Sequence, residues 1–393
     1  MQIDQIMITN ITQPIRAVSS DTQVTRSHLN YLDGLRGLAA LFVVLHHVYF
    51  EATLSTAFSI FPPLPQWTSP LQFGRIAVDI FIVLSGYCLM LPVVRDGILR
   101  GGLWQFALRR GRRILPPYWA ALLLSMAALS LPPLRSLPKD IWTLGIRDGW
   151  STGAIVSHLL LLHNLKNQWI FRIDSPMWSV ATEWQIYFVF VLLLLPLWRR
   201  WGLSFSIAAA CILGCAPHYL LHGRFDVAAP QFLALFSFGM AAATSNIRPI
   251  AFKIAAAFFA LAYCFWIRQL SPESIPMDIL AGITTACLIA ALRDYKSVFI
   301  LSSKVCVRLG AFSYSLYLVH FPVLLAASSI LLPIHLNRWQ FFVRLMLLGV
   351  PASLAISYLF HLVFERPFMN SKPGVKIKTE AQAEIAAIES PAP

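Results

Sequence analysis

The chain has 393 residues, of which 57% are hydrophobic and only 12% are charged. About 25% of the residues in a typical soluble domain are charged, so this composition excludes an ordinary soluble globular protein. The apolar residues are grouped in about ten runs of roughly 20 residues, the length that an α-helix needs to cross the hydrocarbon core of a bilayer. The sequence therefore predicts an all-α fold, a polytopic bundle of about ten transmembrane helices.

The formal net charge is +13, from 31 Lys and Arg against 18 Asp and Glu. Such an excess can indicate a nucleic-acid partner, but in a membrane protein Lys and Arg gather first in the cytoplasmic loops. We therefore expect no nucleic-acid partner. The six cysteines fall almost entirely within apolar runs and lack the short spacings of metal ligands. We interpret them as packing residues and expect no metal site.

The apolar runs predict ten membrane spans in chain order. They cover residues 32–50, 74–94, 114–133, 178–198, 203–222, 227–246, 250–270, 277–292, 311–332 and 340–363. A further run at 153–165 is shorter and is predicted to form a buried, interfacial or re-entrant helix. With the N-terminus inside, the cytoplasmic segments hold about 20 Lys and Arg and the outer segments about nine, as the positive-inside rule requires. Both termini are therefore expected to be cytoplasmic.

Polar tails flank the predicted membrane domain, which covers residues 31–368. Residues 1–30 lack the features of a signal peptide, so the first span is expected to act as its own insertion signal. We expect this N-terminal tail and the C-terminal tail at 369–393 to be disordered. Residues 134–177 form the one sizeable outer segment, and loops of that length in compact domains are usually functional or disordered.

Ionisable side chains within a membrane span are costly and therefore mark candidate sites. Arg36 and His47 are eleven residues apart in the first span, which places them on one helix face and about 16 Å apart along the axis. Asp79 in the second span and Glu183 in the fourth are predicted to lie in the same outer half of the membrane as His47. A carboxylate beside a histidine can orient it as a general base. A purely structural hydrogen-bond cluster is the alternative.

Several other polar or aromatic side chains in the spans are candidates for lining this site. Tyr187 follows Glu183 by one helical turn, and His320 lies near the middle of the ninth span, where it could equally be structural. Arg344 in the last span is a candidate partner for Asp79 or Glu183. The predicted lining residues are Ser85, Trp178, Tyr187, His320 and Arg344.

A cluster of arginines precedes the third span. One interpretation is an ordinary cytoplasmic anchor, and the other is a clamp for a phosphate-bearing donor, because Arg presents paired N–H donors. Pro116 and Pro117 are tolerated in the first turn of a helix, so the arginines are predicted to lie at a helix entrance. The cluster consists of Arg109, Arg110, Arg112 and Arg113, and the candidate donor ligands are Arg110, Arg113 and Arg109.

Six motifs in this order resemble the acyltransferase 3 family of integral membrane proteins. Their positions are 31–40 with His47, 79–86, 110–119, 177–187, 314–320 and 365–367. The resemblance extends from Tyr31 to Phe368, nearly the whole chain. Ile82 and Tyr87 depart mildly from the commonest pattern of the second span, where Phe is frequent.

The resemblance implies a bundle of about ten helices that transfers an acyl group, commonly acetyl from acetyl-CoA, to a hydroxyl of an acceptor. It also implies that His47 and Arg36 are essential and that Arg110 and Arg113 help to hold the donor. The acceptor is expected to be a surface carbohydrate or a small molecule, and acyl-CoA is expected as a co-substrate, with no bound cofactor. The expected location is the bacterial cytoplasmic (inner) membrane.

On this basis His47 is predicted to be the general base, with Glu183 or Asp79 fixing its tautomer and Arg36 guiding or neutralising the donor. A transient acyl group on His47 is the alternative route. Some members of the family carry a further hydrolase-like domain, but only a short polar tail follows the last span here. The membrane domain is therefore expected to complete the transfer alone. A polytopic transporter or flippase is the alternative function.

Overall fold

The computed structural model describes residues 21–369 except 100, 136, 138–149, 268 and 296. Helices make up most of these residues, and no strand occurs among them, which confirms the all-α prediction. Residues 1–20 and 370–393 of the predicted tails lie outside the described residues. Residues 21–30 belong to the first helix, which therefore begins earlier than the predicted tail allowed, because this stretch contains neither Gly nor Pro to end a helix.

The described residues form fifteen α-helices. In chain order they are α1 (Asp21–Leu54), α2 (Arg75–Asp96), α3 (Gly102–Leu129), α4 (Pro132–Arg135), α5 (Thr152–Leu159), α6 (Trp178–Val189), α7 (Leu195–Trp201), α8 (Leu203–Leu220), α9 (Phe232–Thr244), α10 (Pro249–Trp266), α11 (Ile275–Leu292), α12 (Lys304–Ala311), α13 (Ser313–Leu331), α14 (Arg338–Phe360) and α15 (Arg366–Met369). One π-helical turn, Phe190–Leu194, joins α6 to α7, and another, His361–Glu365, joins α14 to α15.

Nine helical stretches among the described residues are long and apolar enough to cross a membrane. They correspond to nine of the ten predicted spans, and they make the protein a multi-pass membrane bundle. The remaining predicted span lies in α3. The apolar part of α3 begins only after Arg113, so the arginines and the apolar segment share one continuous helix.

The course of α3 corrects the prediction that Pro116 and Pro117 occupy a first helical turn. The helix begins at Gly102, so both prolines lie in its interior. The sequence before them is rich in Leu, Arg, Gln and Ala, which favour helix, and it extends the helix toward the N-terminus. The arginines therefore project from the middle of a helix and not from its entrance.

The centre of the bundle is the contact between α2 and α9. Gly86 of α2 and Gly239 of α9 lie where the two backbones meet. A Cβ atom at Gly86 would collide with the carbonyl oxygen of Phe236, and one at Gly239 would collide with that of Val83. Small residues permit such close approach between membrane helices. At the periphery, α10 packs mainly on α11 and is largely exposed.

The short helix predicted at 153–165 is present as α5, followed by a 3₁₀ turn at His163–Leu165. Tyr118 Oη donates to the carbonyl oxygen of His158 at 3.0 Å, which holds α5 against α3. Later in this segment Ser125 Oγ of α3 donates to Asp174 Oδ2 at 2.7 Å. Burial raises the pKa of Asp174 to about 7 and lowers that of His158 to about 4.

Candidate active site

Two cavities open between the helices, and we name each after the side chains on its wall. The arginine cavity has a volume of about 630 Å³. The histidine cavity has a volume of about 460 Å³. Val78 of α2 and Tyr317 of α13 line both cavities, so the two meet at these side chains. The arginine cavity contains Arg36, Arg95, Arg110 and Arg113, and the histidine cavity contains His46 and His47.

Arginines outnumber carboxylates among the described residues that line the arginine cavity. Arg36 of α1 donates to Asp33 Oδ1 at 3.1 Å, and its Nη2 lies 3.0 Å from Cys88 Sγ. The Arg110 guanidinium lies 5.9 Å from the ring centroid of Tyr187, and its Nε has no hydrogen-bond partner among the described residues. One carboxylate faces Arg36, and Arg110 adds a second cation to the same wall.

The arginine cluster divides between this cavity and the protein surface. Arg110 and Arg113 are three residues apart and share a helix face, and both line the arginine cavity. Arg109 is exposed and is not among the lining residues. Arg109 precedes Arg110 by one residue, which turns it about 100° around the helix. Two of the three predicted donor ligands are therefore on the cavity wall.

Glu183 of α6 also lies in the arginine cavity, contrary to the prediction that it orients His47. Ser85 Oγ of α2 donates to Glu183 Oε1, and Tyr187 Oη donates to the same oxygen at 2.5 Å. Ser85, Glu183 and Tyr187 thus form one hydrogen-bonded group. Glu183 is one turn farther along α6 than Ser179, which is the residue that reaches the junction of the cavities. This extra turn separates the carboxylate from the histidine cavity.

His47 lies in the histidine cavity beside His320 of α13. His320 Nδ1 lies 3.0 Å from the carbonyl oxygen of Leu316, and its Nε2 lies 3.2 Å from His47 Nδ1. His47 Nδ1 also lies 2.9 Å from the carbonyl oxygen of Val43. A carbonyl can only accept, so each neutral ring carries its proton on Nδ1. The lone pair of His47 is then on Nε2, the form that a general base requires.

Tyr317 is fixed at the junction of the two cavities. Its Oη donates to the carbonyl oxygen of Pro176 at 3.0 Å. It therefore accepts the hydrogen bond that joins it to Ser179 Oγ at 2.7 Å. The ring centroid of Tyr317 is 6.0 Å from that of His320. The sequence analysis did not single out Tyr317, although it lies one turn before His320 in the same motif.

The other predicted site residues are placed differently. Trp178 lines the histidine cavity. Asp79 is only 2% exposed and lines neither cavity. This contradicts the prediction that it belongs to the site of His47. Arg344 is exposed on α14 and also lines neither cavity, which contradicts its predicted pairing with Asp79 or Glu183. It is offset by about 100° from the buried Leu345, which faces the bundle.

A buried ion pair that the sequence analysis missed supports the histidine cavity. Arg75 Nε and Nη2 donate to the two carboxylate oxygens of Asp278 at 2.7 and 2.8 Å. Gln231 Nε2 donates to Asp278 Oδ2 at 2.9 Å. Asp278 lies inside the predicted span 277–292, so the rule that identified Asp79 could have identified it as well.

Comparison with known proteins decides the family. A family model described as an acyltransferase domain, of the acyltransferase 3 type, matches residues 29–362. The chain belongs to the acyltransferase 3 family. It is therefore a multi-pass membrane protein of the acyltransferase class. No solved structure matches it.

Three relatives illustrate the similarity. The peptidoglycan O-acetyltransferase OatA of Listeria monocytogenes is 22% identical over 91% of this chain and 59% of its own length. The acyltransferase MdmB of Streptomyces mycarofaciens is 25% identical over 75% of this chain and 78% of its own. A putative O-acetyltransferase of Staphylococcus aureus strain COL is 25% identical over 88% and 58%. The chain thus spans about three fifths of the length of the first and third.

Proposed function

We propose that this protein transfers an acyl group, acetyl in the first instance, from acyl-CoA to a hydroxyl of a carbohydrate or similar acceptor at the bacterial inner membrane. The observation that carries this proposal is the junction at Val78 and Tyr317. There a cavity lined by arginines meets a cavity that contains a histidine with its lone pair on Nε2. An anionic donor would bind in the arginine cavity, and a neutral hydroxyl acceptor would bind in the adjoining histidine cavity.

The donor fits the arginine cavity. Coenzyme A carries several phosphate groups, and Arg110 and Arg113 supply guanidinium groups that can bind phosphate oxygens in pairs. Arg36 adds positive charge on α1, about 16 Å along the helix from His47. The flexible pantetheine arm of the donor would extend from these arginines past Ser85 and Glu183 toward Tyr317. Its thioester would then reach the junction.

At the junction His47 would act as the general base. Its Nε2 removes the proton from the acceptor hydroxyl while the hydroxyl oxygen attacks the thioester carbonyl carbon. The new C–O ester bond forms and the C–S bond breaks, and the departing thiolate of coenzyme A recovers the proton from the imidazolium. His320 keeps the His47 ring in the required orientation through the contact with Nδ1. No metal or redox partner is needed for the balance of this step.

A relative whose name specifies peptidoglycan O-acetylation supports a glycan as the acceptor. The test uses the purified chain in lipid vesicles with radiolabelled acetyl-CoA and a candidate glycan. Label recovered in the glycan as an ester is the expected result. Movement of unmodified glycan across the vesicle, without release of coenzyme A, would instead show a transporter or flippase. An acyl adduct on His47 after addition of the donor alone would show the two-step route.

A further inference from the structure

Gln231 occupies a wall of the histidine cavity that the proposed reaction leaves unused. It precedes α9 by one residue, lines the cavity and is only 3% exposed. Its Nε2 donates to Asp278 Oδ2, and Asp278 is itself held by the two-point contact with Arg75. The side chain of Gln231 is therefore fixed in one orientation.

The orientation of the amide follows from chemistry. Asp278, ionised beside Arg75, has only acceptor oxygens, so the nitrogen of Gln231 must face it and Oε1 must face away. Among the described residues no donor reaches Gln231 Oε1. Ser274 Oγ, on the same cavity, also has no partner among them. Buried polar atoms are almost always paired, so these two atoms on the cavity wall have capacity left for a hydrogen bond with a bound molecule.

The charges on this cavity determine what the ligand can be. Its arginine, Arg75, is already neutralised by Asp278. Glu273 and Asp226 also line the cavity, and Asp226 Oδ2 lies 2.8 Å from His218 Nδ1. The wall thus offers hydrogen-bond acceptors and excess negative charge. A ligand with several O–H donors and no negative charge fits this wall, whereas an anion would be repelled.

We propose that Gln231 is an acceptor-binding residue whose Oε1 accepts a hydrogen bond from a hydroxyl of an uncharged sugar. The acidic rim of Asp226 and Glu273 discriminates against sugars that carry a carboxylate. The cavity volume of about 460 Å³ lies in the range of small-molecule sites. This inference rests on the proposed function, because it names the substrate class of the same site.

The test measures initial rates of acyl transfer from acetyl-CoA by the full-length chain in lipid vesicles. The acceptors are the methyl glycosides of glucose, galactose and N-acetylglucosamine, together with N-acetylmuramic acid and its carboxamide, which differ in charge. Release of the coenzyme A thiol is recorded in every reaction. The variants are Gln231→Met, which keeps the side-chain length without the amide, and Gln185→Met as a matched control. Gln185 is bonded to Asn164 and lines neither cavity.

We expect transfer to uncharged sugars, with kcat/KM for the carboxamide at least tenfold above that for the free acid. Gln231→Met should raise the KM of the sugar about tenfold and leave the KM of acetyl-CoA unchanged, whereas Gln185→Met should leave the ratio of the two KM values unchanged. Because Gln231→Met also removes the bond to Asp278, a merely structural role would raise the KM of every sugar alike. Loss of the Oε1 contact would instead remove the difference in KM between methyl glucoside and the monodeoxy analogue that lacks the bonded hydroxyl.

Three results would overturn the inference. An unchanged sugar KM in Gln231→Met, or equal use of the acid and the carboxamide, would refute it and leave acyl transfer standing. Absence of thiol release with every acceptor would refute the proposed function as well. If Gln231→Met does not fold, Gln231→Asn, whose shorter side chain withdraws the amide from the cavity, is measured in its place with the same expected result, and the comparison of acid with carboxamide on the wild-type chain tests the acidic rim.

Discussion

The two cavities of this protein adjoin but have opposite chemistry. Among the described residues, the arginine cavity holds four guanidinium groups, with Glu183 already engaged by Ser85 and Tyr187. The one arginine among those that line the histidine cavity is neutralised, and carboxylates also line that wall. An enzyme that joins an anionic donor to a neutral acceptor needs such a separation, because one mixed cavity would favour the wrong molecule in each place. We therefore expect the reacting atoms to meet at the boundary between the two cavities.

The largest effect is expected for His47→Ala, which removes the base from the histidine cavity. General-base catalysis contributes about 10²- to 10⁴-fold to rate, so kcat for acyl transfer should fall by that factor. Binding of acetyl-CoA should stay unchanged, because His47 does not line the arginine cavity. Steady-state kinetics with labelled acetyl-CoA measures the first quantity and equilibrium binding the second. Transfer near the wild-type rate would remove His47 from the mechanism.

The second-largest effect is expected in the arginine cavity, on binding of the donor. Replacement of Arg110 and Arg113 together with Gln should raise the KM of the donor about 10- to 100-fold, which corresponds to about 1.4–2.7 kcal/mol. This is the contribution of one hydrogen bond to a charged group, because Arg113 is exposed and its contact is screened by solvent. The KM of the acceptor should not change. Arg109→Gln is the matched control, because Arg109 lies outside the cavity. Unchanged donor saturation in the double variant would refute the role assigned to the arginine cavity.

A smaller effect is expected for His320→Phe, which keeps a planar ring but removes the nitrogen beside His47 Nδ1. The His47 ring loses one of the contacts that hold it, so kcat should fall about tenfold through less frequent correct orientation. Both KM values should remain as in the wild type. Equal kcat in the variant would show that the contact with the carbonyl of Val43 orients His47 without help.

The smallest effect is expected for Asp174, which lies in the segment before α6 and lines neither cavity. Its protonation should change the stability of the protein with pH. The buried Asp174 carboxyl has its pKa raised from 3.8 to about 7, so the folded state holds a proton that the unfolded state has lost. Stability from this group therefore falls as pH rises from about 4 to about 7. Asp174→Asn does not titrate, so its Tm relative to the wild type should be a few degrees higher at pH 8 than at pH 5, since roughly 1 kcal/mol shifts Tm by about 2–4 °C in a chain of 150–250 residues and by less in a longer one. A Tm difference that stays constant between pH 5 and pH 8 would contradict this.

The pKa of the buried His158 is shifted in the opposite direction to that of Asp174, but His158 is present in both the wild type and Asp174→Asn. Burial lowers its pKa from 6.5 to about 4, so its contribution to stability is lost as pH falls through that range. The wild type and Asp174→Asn share His158, and the difference between their Tm values therefore reports Asp174 alone.

Much of the architecture could be predicted from the sequence because the physics of a bilayer is simple. Runs of about 20 apolar residues must be helices, and nine of the ten spans follow directly. The assignment of partners was less accurate. Depth in the membrane singled out His47, Asp79 and Glu183, but depth says nothing about which helix face turns to which neighbour. Glu183 and His47 consequently lie in different cavities.

The partners that were missed share a physical reason. Arg75, Gln231 and Asp278 are far apart in the chain, and packing of α2, α9 and α11 brings them together. A contact of that kind depends on helix rotation, which loop charges and span lengths do not determine. By contrast, the common face of Arg110 and Arg113 follows from their spacing within one helix, where spacing alone determines orientation. The same rule would have turned Arg109 away from them.

The close backbone contact of α2 with α9 at Gly86 and Gly239 has a consequence for how substrates enter. With two backbones in direct contact, α2 and α9 have no layer of side chains on which to slide. Ser85 and Val78 belong to α2, and Gln231 directly precedes α9. The parts of the two cavity walls that these residues form are therefore held in a fixed relative position. An opening that admits a sugar must therefore come from the thinly packed parts of the bundle, and Gly86→Ala would force the fixed half apart.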